Sequence, residues 1–255
     1  MLKALKTAAT GMDAQQRKLD ITANNLANVN TTGFKKSRAE FQEMLYTQQR
    51  AAGKGNPTGV EIGSGVANGA TQKSFVQGTL EATENPLDVA IEGEGFFRVT
   101  KDNGDAAFTR AGAFKVDAAG SLVTADGHMV DPGITIPSEA TSINITRDGT
   151  INVVLDGETS EIEVGRLELT RFQNPAGLRS MGRGLFEPTE ASGLPTTGTP
   201  GEDGLGAISQ GFLEGSNVQV TEEMISMIVS QRAYEVNSKV IRTADEMLRA
   251  ATNVR

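Results

Sequence analysis

A chain of 255 residues with 38% hydrophobic and 5% aromatic content has room for one large domain or two modest ones, built around a thin aliphatic core. It holds no cysteine, which excludes disulfides, thiol catalysis and zinc–thiolate centres. The net charge of −8 is unevenly spread: residues 1–50 carry 8 Lys/Arg against 4 Asp/Glu and residues 217–255 carry 5 against 5, so the middle is strongly acidic and ill suited to nucleic acid.

The first stretch, 1-MLKALKTAATGMDAQQ-16, has two lysines but turns polar before a signal-peptide apolar region forms, so a conventional cleaved signal is not expected. No run of about 18 apolar residues exists anywhere, and no membrane span is expected. Instead Leu2, Leu5, Ala9, Met12, Gln16, Leu19, Ala23 and Leu26 recur at spacings of three and four, the a/d pattern of a coiled coil. Such a helix is on the order of 40 Å long. Its narrow seam, with small or polar knobs, suits contact with another helix. It ends in 24-NNLANVNTTGF-34, where Asn24, Asn25 and Asn28 are unexpected, because an Asn amide competes with the helix for backbone partners.

Next comes 46-YTQQRAAGKGNPTGVEIGSG-65, polar and glycine-rich, which reads as a long loop. Beyond it the period changes to two. Residues 88–100, 106–117, 142–155 and 163–172 alternate as strands, and Asn103-Gly104, Ala119-Gly120, Asp126-Gly127, Asp148-Gly149 and Asp156-Gly157 mark hairpin-like turns. About ten short antiparallel strands are expected. Residues 187–207 read as a long loop leading out of them.

The last stretch, 221–255, is a second long helix, with Thr221 as its expected cap and Glu222 and Glu223 in the first turn, where the helix dipole favours acids. Met227, Tyr234, Ile241 and Leu248 repeat at sevens; Ala233, Val240, Met247 and Val254 repeat one position earlier. With Val229, Val236, Ala244 and Ala251 the apolar arc spans roughly 150°, too wide for one partner helix. The first helix accounts for one neighbour, and the second must come from elsewhere.

The expected fold class is α+β, with long N- and C-terminal helices forming a coiled-coil layer and an antiparallel all-β domain inserted between them. The domains are residues 1–35 with 212–255 (helical, discontinuous), 36–66 (connecting) and 67–211 (β-rich).

A search for chemistry finds no catalytic residue, cofactor site or metal site. His128, the single histidine, sits in a turn with no second histidine to join it. Glu92-Gly93-Glu94-Gly95 leads into another strand, whereas a phosphate cradle leads into a helix. Residues 102–105, DNGD, lack the later ligands of a calcium loop, and Gly63-Ser64-Gly65 lacks the spacing of a nucleophile elbow.

The two ends, taken together, are recognisable. ANNLANVNTTGF (23–34) closely resembles the N-terminal signature of the bacterial flagellar rod, hook and hook-associated family. QGFLEGSNVQVTEEMISMIVSQRAYEVNSK (210–239) resembles its C-terminal one, and IEGEGFFRV with FTRAGAFKVDAAGSLVTADGHMV resembles its shared β domain. The chain lacks the length of a hook protein, so the resemblance implies a basal-body rod subunit. It implies export through the flagellar type III apparatus and self-assembly into a hollow helical tube across the periplasm, without enzymatic activity. Implied partners are further copies of itself, the proximal rod protein, the hook protein, the periplasmic and outer-membrane ring proteins, and the rod cap protein. With the helical stripes, it places the subunit interface at Leu5, Met12, Leu19, Asn24, Asn25, Leu26, Asn28, Met227, Tyr234, Val240, Ile241, Met247 and Leu248. It also implies a rod-specific segment that includes Tyr46, Gln48, Lys54, Pro57 and Gly63.

Overall fold

A computed structural model describes residues 2–50, 59–101, 103–157 and 160–253. The chain is α+β, and it divides into two compact units: residues 1–27, 37–74 and 219–255 form a helical unit, and residues 28–36 with 75–218 form a β unit.

The helical unit contains α1 (Leu2–Ala27), α2 (Val220–Asn253) and four strands, β1 (Ser37–Glu43), β2 (Thr47–Arg50), β3 (Val60–Ile62) and β4 (Val66–Lys73). The first turn of α2 holds Glu222 and Glu223 as expected. The helix begins one residue earlier than the sequence suggested, so Thr221 lies inside it; the carbonyl of Gln219 accepts from the amide of Glu223 at 3.1 Å. The expected loop at 46–65 is also revised. β1 pairs antiparallel with β4 from Ser37↔Lys73 to Glu43↔Val66, and β2 pairs with β3 from Thr47↔Ile62 to Arg50↔Val60. Together they make a long two-stranded ribbon. Alternating burial did not reveal it because most of its side chains are exposed or only half-buried.

The ribbon lies on α1. Thr10 Oγ1 accepts from the amide of Val66 at 3.4 Å, and Asn68 Nδ2 donates to Asp13 Oδ2 at 2.9 Å. Just before Val66, Gly65 has φ +112°, and a Cβ there would stand 2.2 Å from Thr10 Oγ1. Only glycine fits that approach.

The β unit runs β5 (Leu80–Ala82), β6 (Val89–Glu92), β7 (Phe96–Thr100), β8 (Ala106–Thr109), β9 (Phe114–Val116), β10 (Leu122–Thr124), β11 (Met129–Val130) and β12 (Ala140–Ile145). It continues with β13 (Thr150–Leu155), β14 (Glu161–Arg166), β15 (Leu169–Arg171), β16 (Arg179–Gly182), β17 (Leu185–Glu187), β18 (Thr196–Gly198), β19 (Ala207–Gln210) and β20 (Phe212–Glu214). All pairings are antiparallel. The main sheet runs β16-β17-β8-β7-β11-β10-β9, with β15 joining β7 to β18; β12-β13-β14 form a second sheet. The five glycines named as turn markers have φ between 84° and 88°, conformations that suit glycine at hairpin turns.

Strand alternation supplies two cores rather than one. On β7, Phe97 enters an aliphatic cluster with Val89, Ile91, Leu122, Ile151 and Leu169, while its neighbour Phe96 enters a second cluster with Phe108, Phe172 and Phe186. Phe75, Phe96, Phe108, Phe172 and Phe186 meet edge-to-face at centroid distances of 4.8 to 6.0 Å. A wholly aliphatic core was therefore the wrong expectation. The low aromatic content is an average over helices without buried aromatics and a β unit that concentrates them. Each such pair adds about 0.5–1.5 kcal/mol beyond area burial.

The helical unit buries much less. Its buried side chains include Ala8, Ala14, Thr22 and Asn25 on α1 and Glu223, Ser230 and Ala244 on α2, all small or polar. A helix pair with so little apolar burial is marginal in water. In dilute monomer, limited proteolysis is expected to cut within 1–27 and 220–253 first, leaving a resistant fragment spanning 75–218. Mass spectrometry of the digest checks this, and equal resistance of both units would overturn it.

Candidate assembly surface

The two helices run antiparallel. Asn25 Nδ2 donates to Glu223 Oε2 at 3.3 Å, Gly11 lies against Asn237, and Ala4 and Ala8 line one groove with Val240. On α1, Leu5, Met12, Leu19 and Leu26 are half-buried as the heptad required, but Ala9, Gln16 and Ala23 are exposed. Their places are taken by the residues just before them, Ala8, Gln15 and Thr22. Both rows obey the 3-4 spacing, and Ala8-Ala9 and Gln15-Gln16 are identical pairs, so periodicity could not choose between them.

On α2 the apolar arc separates into two rows. Met227, Ile241 and Leu248 are half-buried with the buried Glu223, Ser230 and Ala244. Ile225, Val229, Val236, Val240 and Met247 form a second row, 43% to 62% exposed. At about 100° per residue that row spans about 60° and stands about 110° round the helix from the first. Tyr234 is 39% exposed at the edge of the first row. A groove of about 670 Å³ between the N-terminal part of α1, Ile62 and Gly63 of the ribbon, and Asn237 and Val240 of α2 adjoins the exposed row.

The three asparagines separate as well. Asn25 is buried, and its amide copies a backbone edge: Oδ1 accepts from the amide of Ser37, and Nδ2 donates to the Ser37 carbonyl, both at 2.9 Å. An apolar side chain at this position would leave both Ser37 groups unmatched, and a charged one would serve only one of them. Asn24 is exposed, and Asn28 Oδ1 accepts from Thr31 Oγ1 at 3.2 Å.

The rest of the signature, residues 28–36, folds with the β unit. Gly33, at φ +68°, packs on Ala111, where a Cβ would stand 2.7 Å from the backbone nitrogen. Its amide donates to the Glu214 carbonyl at 2.7 Å. Lys35 is fully buried, with Nζ donating to Glu214 Oε1 at 2.6 Å and to the Val76 carbonyl at 2.9 Å. Burial holds this ammonium below its ordinary range, outweighing the attraction of the Glu214 carboxylate. Gly78 donates its amide to the same Oε1 at 2.9 Å, and Arg110 Nε stands 3.5 Å from Oε2. No spacing marks this cluster, because Lys35 and Glu214 are 179 residues apart.

In the expected rod-specific segment, Tyr46 lies exposed just before β2, Gln48 is exposed within it and Gly63 is half-buried, while Lys54 and Pro57 lie outside the described residues. Among the described residues no group of acidic or histidine side chains is placed to hold a metal, and no helix is long and apolar enough to cross a membrane.

Three family models match the chain: "Flagella basal body rod protein" over residues 5–35, "Flagellar hook protein FlgE/F/G D1 domain" over 90–153, and "Flagellar basal body rod FlgEFG protein C-terminal" over 209–254. The flagellar basal-body rod protein FlgG of Borreliella burgdorferi is 47% identical, over all of this chain and 99% of its own. The chain belongs to the flagellar basal-body rod family. FlgG of Caulobacter vibrioides is 46% identical and that of Bacillus subtilis 40%, each over the full length of both chains. As a member of the rod family the chain is a structural subunit of the flagellar basal body, not an enzyme. The matched 5–35 segment covers most of α1 and all but the last residue of the Asn28–Lys36 segment.

Proposed function

We propose that this chain is the subunit of the distal part of the rod, polymerising into a hollow helical tube whose inner layer is a coiled-coil layer of α1 and α2. The distal reading rests on the wording QRAYEVNSK and on similarity to FlgG proteins; a proximal rod subunit is the alternative. The observation that carries the proposal is the second apolar row on α2. Five apolar side chains, 43% to 62% exposed in a straight heptad-like row, are a seam that no element among the described residues covers. Leu5, Met12, Leu19 and Leu26 with Met227, Ile241 and Leu248 hold the subunit's own helix pair, and Tyr234, Val240 and Met247 meet the neighbouring copy. Asn24 and Asn28 act as uncharged connectors between copies, since an amide offers donors and an acceptor at once.

In this role the tube crosses the periplasm, transmits torque from motor to hook, and conducts exported subunits, itself having been exported by the flagellar type III apparatus. Its ends meet the proximal rod and hook proteins, its outside the ring proteins, and its growing tip the rod cap. Negative-stain images of the concentrated chain test the reading: short tubes support it, and a monomer at every concentration overturns it.

The ribbon carrying Tyr46, Gln48 and Gly63 acts as a wedge between neighbouring copies that keeps the rod straight. Deleting Gln48–Thr58 is expected to leave the monomer's melting curve unchanged and to give bent or abnormally long rods. Straight rods of normal length, seen in isolated basal bodies, would count against the wedge.

A further inference from the structure

The β unit contains a recess of about 250 Å³ that the rod reading does not use. Its walls are Phe75, Phe96 and Pro175, and two guanidinium groups, Arg110 and Arg171, line it with Glu94. Arg110 is the unusual member. It is 3% exposed and its guanidinium carbon stands 5.7 Å above the Phe96 ring. Nη2 donates to the Gly93 carbonyl at 2.8 Å, but Nε and Nη1 have no hydrogen-bond partner among the described residues. The nearby Glu214 forms an ion pair with Arg110 but no hydrogen bond: its Oε1 is taken by Lys35 and Gly78, and its Oε2 stands 3.5 Å from Nε. Glu94 bears on Arg110 from an exposed position without entering an ion pair with it.

A buried guanidinium with two unmatched nitrogens is a costly arrangement that an acceptor anion relieves. A carboxylate oxygen accepts from the unmatched Nη1, and the apolar walls accept the carbon stem behind it. We propose that this recess binds a carboxylate carried on a short apolar stem, with Arg110 as its primary donor and Arg171 at the mouth. The same chemistry is offered by a Glu side chain from a neighbouring copy and by a free organic acid.

The test uses the full chain labelled with ¹⁵N-arginine and titrated with 3-phenylpropanoate, with 3-phenylpropanamide as the uncharged control. The expected result is a saturable shift of the Arg110 Nε–Hε signal with the acid and none with the amide. Arg171→Gln is expected to weaken binding about two- to fivefold without altering the melting curve, since its side chain is exposed. No saturable shift with the acid, an equal response to the amide, or an unchanged affinity in Arg171→Gln overturns the proposal. The source is assigned by a photo-cross-linking residue at Val76, which also lines the recess and is 70% exposed, in assembled rods. Capture of a Glu-containing peptide from a second copy identifies the side chain; acid binding without that capture identifies the free acid.

Discussion

Val240→Asp and Met247→Asp, made singly, are expected to abolish swimming while the isolated monomer melts as the parent does. Both residues lie in the exposed row of α2, 43% and 50% accessible. In the free chain an aspartate at either position is solvated, and such surface changes usually alter stability by less than about 0.5 kcal/mol. In a tube the same carboxylate is closed between apolar helices without a counter-charge. That strands a buried ion at a cost of several kcal/mol, whereas each lost aliphatic contact costs about 1.5–3 kcal/mol. Because the contact recurs in every subunit, polymer growth stops. Ile241 and Leu248, which share the seven-residue stripe of Met227 and Tyr234, are poorer probes of this point. They are half-buried on the side of α2 that carries Glu223 and Ala244, so a charge there disturbs the subunit's own helix pair as well. Motility plates beside circular dichroism melts separate the outcomes: normal swimming, or a strongly lowered melting temperature, rejects the row as an assembly seam.

The contrast between these two rows shows where sequence is informative. A wide apolar arc on α2 is visible in the letters, since hydrophobicity is a property of each side chain. Which part of the arc a chain covers itself is decided by the partner's surface, and α1 offers two equally spaced rows that differ by one position at Ala8 or Ala9 and at Gln15 or Gln16. The turn glycines were legible for a local reason, because a left-handed φ is a requirement that one residue satisfies. The ribbon of β1 to β4 was not, because its side chains give no alternation of buried and exposed positions. The signature asparagines were conspicuous, but their roles were not: Asn25 serves Ser37 and Glu223 within the chain, at contacts no periodicity encodes. Lys35 was hidden most completely, because a lysine beside a second lysine reads as a solvated face.

That hidden lysine carries the other large expected effect. Lys35→Met should lower the stability of the β unit by about 3–5 kcal/mol, a large fraction of what a domain of this kind possesses. Both side chains of the Lys35–Glu214 pair are fully buried, and Glu214 Oε1 accepts from Lys35 at 2.6 Å. Methionine fills nearly the same volume, so the loss is not a cavity effect. What remains is a carboxylate removed from water, held by the Gly78 amide and by the long contact to Arg110. The Val76 carbonyl also loses one of its two donors and keeps Asn217 Nδ2 at 2.9 Å. Glu214→Gln should be costly in the same way, because it strands the Lys35 ammonium. Adding Glu214→Leu to Lys35→Met should restore part of the loss, since a buried pair exchanged for apolar groups of similar size is often near neutral. The exposed Lys115→Met on β9 serves as a control within about 0.5 kcal/mol of the parent. Urea unfolding of the four variants and the parent measures these differences. A Lys35→Met protein within about 1 kcal/mol of the parent, or a double variant worse than either single one, would mean that the buried pair does not hold the Asn28–Lys36 segment in the β unit.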